Sequence, residues 1–280
     1  MKNISLLLAI LMPFTVLSQK LHADLFIGIS GYQGDLQAKR FTLNQSKPVV
    51  GLGASYDLTN KLIARAGFFY GKIEGNDRKN KSNKGIELRN LNFRSTITEF
   101  NVGLEYNFFD LGYRDISPYV FGGAAVYHFN PYTKDAAGNK VFLNPLSTEG
   151  QGLPQYPDRN PYKLTQFAIP FGGGLKFALS ENLQVGLEIG FRKLFTDYLD
   201  DVSMNYVDSA TLYAERGAQA VDLAYRGDEV TGGQSYPADG VQRGSPKFKD
   251  WYYFSVVRVS YRLNNSKNDK NGLACPARFY

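Results

Sequence analysis

The chain has 280 residues, a formal charge of +6, 20 Phe, 19 Tyr and 28 Gly, against a single Cys and two His. So much aromatic content excludes a disordered chain, one Cys excludes an internal disulfide framework, and one Cys with two His cannot build a Cys/His zinc site. The positive charge is dispersed; its densest run, Lys79, Lys81 and Lys84, sits in a Gly/Asn-rich stretch and is no footprint for nucleic acid.

In chain order, residues 1–18 read as a secretory signal peptide. Lys2 precedes an apolar run from Ile4 to Leu17, and small residues near Ser18 mark the cut. That run is about 14 residues, short of the roughly 20 a membrane-spanning helix needs. No cysteine follows it to carry a lipid anchor.

Residues 19–263 are dominated by period two. Eight segments of about ten residues alternate an apolar face with a small, polar or charged one. They are Leu25 to Gly31, Val49 to Leu58, Leu62 to Gly71, Glu99 to Asn107, Pro118 to Phe129, Gln166 to Phe177, Leu183 to Arg192, and Trp251 to Arg262. Leu62, Ala64, Ala66, Phe68 and Tyr70 illustrate the apolar set, as do Phe100, Val102, Leu104 and Tyr106; the facing of Pro118 to Phe129 stays unassigned for want of contrast. Two tight turns test the register, since directly opposed partners must face the same way. A turn centred near Thr59 sets Leu52 opposite Ala66, and one near Glu181 sets Leu175 opposite Leu187.

The connectors alternate long and short, which gathers the long loops at one end. A soluble sandwich has no reason to do this, whereas an outer-membrane barrel does: even strand number, apolar outside, polar lumen, short periplasmic turns. The sequence therefore predicts an all-β, eight-stranded antiparallel transmembrane barrel embedded in outer-membrane lipid. Tyr70, Tyr106, Trp251 and Tyr261 are placed to form aromatic girdles. The spacing of Ala210, Tyr213, Ala214, Ala218, Val221 and Leu223, with Gly217 between, predicts one or two short helices in the last long loop. Residues 264–280 form a polar, basic tail on the periplasmic side.

An eight-stranded lumen is only wide enough for its own side chains. The inward charges Arg65, Glu99, Glu105, Lys176, Glu188, Arg192 and Arg258 are therefore expected to pair as a plug, with Lys176 and Glu188 as diagonal partners. The Gly172 to Gly174 run lies mid-strand, where it serves wall packing and not a phosphate cradle. Asp197, Asp200 and Asp201 lack a calcium-loop spacing and read as a solvated loop. His22 and His128 have no sequence-local serine to mark a nucleophile, so no catalytic, metal or cofactor residue is expected. Cys275, the leftover thiol of an exported chain, is either inert or bonded to another chain; its hydrophilic neighbours speak against burial in its own core.

The stretches GYRDISPYVFGGAAVYHFNP (Gly112 to Pro131), LSTEGQG (Leu146 to Gly152), IPFGGGLKFALSENLQVGLEIGFRKLFTDYLDDVS (Ile169 to Ser203), GSPKFKDWYYF (Gly244 to Phe254) and CPARF (Cys275 to Phe279) resemble the PorG family, the outer-membrane barrel component of the type IX secretion system. The resemblance implies association with a periplasmic ring built from proteins of the PorK and PorN type, and it supplies no catalytic residue. On this reading the barrel anchors that ring, with Lys267, Lys270 and Arg278 docking a ring subunit and Cys275 available for an intermolecular disulfide. The rival is a small-barrel surface adhesin or ligand binder acting through its long extracellular loops. A third class, a lipid-modifying enzyme, would depend on His128.

Overall fold

A computed structural model describes residues 20–37, 42–79 and 83–263. The predicted signal peptide and cleavage point, and the tail with Lys267, Lys270, Cys275 and Arg278, lie outside the described residues. Alternation puts successive side chains on opposite faces of a pleated strand, and the long strands here are β1 (Leu21–Gln33), β2 (Lys47–Asp57), β3 (Leu62–Asn76), β4 (Asn92–Asn107), β5 (Ile116–His128), β8 (Thr165–Ala178), β9 (Leu183–Leu194) and β10 (Trp251–Arg262). All pair antiparallel with their neighbours. Because β1 pairs with both β2 and β10, and β3 with β4, the eight strands close into a barrel. A short hairpin, β6 (Tyr132–Lys134) and β7 (Lys140–Phe142), rises from the loop between β5 and β8 and touches β4 at Arg94. Its three-residue strands are too short to leave an alternation in the sequence.

The outer face is the greasy one. Leu52 is 66% exposed and Phe167 68%, in a belt with Phe68, Phe100, Leu104 and Leu187, whereas a water-soluble barrel would leave polar groups there. No helix among the described residues is long and apolar enough to cross a membrane. On the short-turn side Tyr106 and Tyr261 face out, Tyr106 edge-on to Phe108 at 5.7 Å; on the long-loop side Trp251 packs edge-on against Phe171 at 5.9 Å. This architecture is that of an outer-membrane barrel with aromatic girdles.

Two registers can be compared with the sequence. Leu175 opposes Leu187. In the other hairpin Leu52 opposes Phe68, and Ala54 opposes Ala66, so the turn is centred one residue later, at Asn60. The cause is local: Leu58 N and Thr59 N both bond Leu62 O, while Thr59 Oγ1 accepts from Lys61 N and Leu62 N. The slip in pairing is even, so every side chain keeps its face. In β5, left unassigned by the sequence, Tyr119 and Tyr127 point inward and buried while Val120 and Val126 point to lipid.

The three short turns, 58–61, 108–115 and 179–182, mark the periplasmic end. At the opposite end the four long connectors fold together into an extracellular cap. It carries α1 (Lys84–Arg89), α2 (Ser209–Arg216) and α3 (Ala218–Ala224). Asp208 caps α2 by accepting from Thr211 N at 2.8 Å, and Gly217, at φ +82°, ends one helix and begins the next. The two helices stand where the spacing predicts them; their buried side is Leu212, Ala220, Leu223 and Ala224, while Ala210, Tyr213 and Ala214 are exposed. Short helices on a cap follow the surface beneath them; their own period is too brief to dictate it.

Candidate functional site

The lumen is filled from the periplasmic side upward. Below the fill lies an open vestibule of about 1190 Å³ lined by Lys20, Asp57, Asn107, Asp110, Tyr113 and Arg262 among others. Above it stands a six-charge network. Arg65 grips Glu188 with two parallel bonds of 2.8 and 3.0 Å and reaches Glu105 at 3.4 Å. Lys176 also bonds Glu105, and Arg258 Nη1 reaches the same carboxylate at 2.6 Å. Arg258 forks onto Asp24 at 2.9 and 3.1 Å and donates to Ser55. Tyr119 donates to Glu188 at 2.9 Å. Three cations face three carboxylates, all buried, which is the condition under which charge can leave water without leaving a bare ion. One member comes from each wall strand: Asp24, Ser55, Arg65, Glu105, Tyr119, Lys176, Glu188 and Arg258.

A second pair closes the upper lumen. Arg192 holds Glu99 at 2.9 and 3.1 Å, Tyr252 and Asn101 complete the carboxylate at 2.6 Å each, and the guanidinium lies 4.0 Å over the Phe254 ring. Around it Phe26, Phe69, Phe254, Tyr252 and Tyr127 pack ring to ring at 4.9 to 5.5 Å. The barrel thus holds ion pairs above its vestibule and aromatics over them.

All seven charges named from the sequence stand in the lumen, but the diagonal Lys176 and Glu188 pairing does not occur. In the hairpin register Lys176 faces Gly186 and Glu188 faces Gly174. Glu188 is saturated by Arg65 and Tyr119, and in so narrow a tube a side chain reaches the far wall as readily as its diagonal neighbour, so Lys176 crosses to Glu105. Gly174 is small for a reason: a Cβ there would lie 2.1 Å from Leu187 O and 2.9 Å from the Tyr119 ring. Asp24 escaped the sequence reading because it sits one residue before the assigned first strand, although it continues the inward alternation of Phe26 and Gly28.

In the cap, Asp197, Asp200 and Asp201 are buried, which corrects the expectation of a solvated loop. Distant segments supply Thr148 and Tyr162, which donate to Asp201 at 2.5 and 2.7 Å, and Tyr32, which donates to Asp200, while Ser203 of the same loop donates to Asp197. Arg243 ties the loops together by donating to Glu149 at 2.9 Å, Asp201 O at 2.6 Å and Ala224 O at 3.0 Å. Glu149 also accepts from Ser203 N and Met204 N, and Asp77 is gripped by Arg89 at 2.7 and 2.9 Å. Burial pushes the Asp201 carboxyl up to about 6 and Asp197 up to about 7. Neither Glu149 nor Arg243 carried a signal in the sequence.

The two histidines lie at opposite ends. His22 is buried beside Asp57 at 3.0 Å on the vestibule side, while His128 is exposed at the top of β5, bonded to Thr165 at 2.9 Å.

Residues 1–213 match the family described as a domain of unknown function (DUF6089). No curated protein matches the chain. Among solved structures it is similar to Neisserial surface protein A (7% identity, TM-score 0.42, covering 86% of this chain and 96% of that one). It is similar too to Ail, the attachment invasion locus protein of Yersinia pestis (8%, TM-score 0.41, 87% and 98%), and to the outer membrane protein OprG from Pseudomonas aeruginosa (10%, TM-score 0.40, 87% and 97%). Similarity of this size says nothing about what the chain binds.

Proposed function

This chain belongs to the DUF6089 family, and we propose that it is a non-enzymatic, non-conducting outer-membrane anchor, exported through residues 1–18. The observation that supports the reading is the lumen: a conduit needs a continuous water path, and here eight strands converge on a neutral, fully paired plug. What such a barrel can offer is its two ends. The PorG-like blocks support a periplasmic partner, a ring of the PorK and PorN type belonging to a type IX secretion machinery. Lys267, Lys270 and Arg278 would meet an acidic ring surface, and Cys275 would form an intermolecular disulfide. The test deletes residues 264–280 and replaces Cys275 by Ser in the full chain. Loss of ring proteins from the purified barrel after deletion, with loss of a reductant-sensitive adduct in C275S, is expected; unchanged co-purification rejects the ring reading.

A second reading is favoured by the cap. Four loops folded together, three of them with buried acids, an arginine clasp and a small apolar core around Leu153, Val207 and Leu212 are more structure than a tether needs, and they suit a surface adhesin or ligand binder. Removing residues 205–243 separates the two: a surface binder loses ligand or cell attachment and keeps secretion, and a ring anchor does the reverse.

A further inference from the structure

Where the cap meets the barrel top, two buried carboxyls from the two ends of the 195–250 loop approach one phenol. Tyr32, near the end of β1, donates its hydroxyl proton to Asp200 Oδ2, whose other oxygen accepts from Val202 N at 2.9 Å. Asp250, immediately before β10, accepts from Leu199 N through Oδ2 at 2.9 Å, but its Oδ1 is buried and unpartnered. A Cβ built on Gly34 would lie 2.0 Å from that Oδ1 and 2.1 Å from the Tyr32 oxygen, so both oxygens flank one glycine. The Tyr32 proton is already committed to Asp200. What the phenol oxygen still offers Asp250 is a lone pair, and only a protonated carboxyl can use it.

We propose that one proton, held on Asp250 and Asp200 through the Tyr32 hydroxyl, latches the 195–250 loop to the upper end of β1, and that its release in alkaline solution unlatches the extracellular cap. The surroundings deepen the need for it. Asp35 from the first loop and Asp197 from the loop after β9 add negative charge, and Tyr127 of β5 and Glu149 of the 129–164 loop bring no cation. Of the cations nearby, Arg89 is engaged by Asp77, Arg243 by Glu149, and Lys249 lies toward Asp197. Burial and this crowd of carboxyls hold both Asp200 and Asp250 well above the usual carboxylate range. A carboxyl raised in the folded state stabilises that state at low pH and loses its contribution as pH rises through the folded value, so the cap is shut in neutral and acid solution and opens on the alkaline side.

The test uses the full chain in lipid vesicles between pH 6 and pH 10, reading protease cutting within residues 195–250 and the emission of Trp251, the one tryptophan, which follows Asp250 directly. An opening that releases one proton grows about tenfold per pH unit up to the closed-state value and levels off above it. The wild type is expected to show that slope in both readouts, and Asp250→Asn, whose amide supplies a permanent donor to Tyr32, to stay flat. Asp197→Asn is expected to keep the alkaline step. Should Asp250→Asn fail to insert, Asp200→Asn is read in its place, since its single amide oxygen still accepts from Val202 N while the second charge is removed. A wild type that stays shut to pH 10, or an Asn variant that follows the wild-type curve, overturns the latch.

Discussion

In the lumen, Arg65, Lys176 and Arg258 meet Asp24, Glu105 and Glu188 in equal number and at bonding distance, whereas at the base of the cap Asp35, Asp197, Asp200 and Asp250 gather while the nearest arginines serve other carboxylates. Both regions hide charge from water, by different means. Matched ions need no proton to stay buried; surplus carboxyls must keep one. The wall and its plug should therefore respond to the loss of a partner, and the cap to local untying.

The comparison can be broken most forcefully at Glu105, the acceptor shared by three cations. Glu105→Ala strands buried positive charge and is expected to cost about 3–5 kcal/mol of barrel stability, read as a lower urea midpoint for the folded, heat-modifiable form in vesicles. Removing the cap's clasp should act elsewhere. Arg243→Met leaves Glu149 buried without its cation, and about 3 kcal/mol is expected to be lost from cap opening, seen as faster amide exchange across residues 195–250 with the barrel's urea midpoint unmoved. A similar fall of that midpoint would show that cap and wall are one cooperative unit. Gly174→Ala, which forces a methyl toward Leu187 O and Tyr119, is expected to cost the wall about 1–3 kcal/mol by the same urea measurement. The smallest effect is at a helix start: Asp208→Ala removes the acceptor for Thr211 N and should loosen α2 by about 1 kcal/mol, detectable as exchange confined to residues 209–216.

How much of this was legible in the sequence follows the same division. The wall could be read because alternation is a local property. Leu52 and Phe68 declare their face without reference to any distant residue, and an error in the turn centre left that face intact because the slip was even. Inward charges could be named for the same reason. Their pairing could not, since Lys176 chooses Glu105 over Glu188 across the width of a tube whose geometry no two-strand register contains. The cap was opaque. Asp201 looks like a loop residue until Thr148, Tyr162 and Arg243 arrive from either side of the chain, and nothing in the TDYLDD block records that they will.

The plug takes one member from every wall strand, and this has a consequence for assembly. Before β10 docks on β1, Arg258 is away from Asp24, and an open curl of strands would expose both to hydrocarbon, where neither ion nor unpaired backbone edge is tolerated. The last hydrogen-bonded seam and the last ion pair must then form together. Insertion of this chain should be abrupt, with no long-lived half-rolled intermediate, and the hoop of eight partners acts as its proofreader: a strand threaded out of order leaves a charge in oil and is sent back to the water's edge.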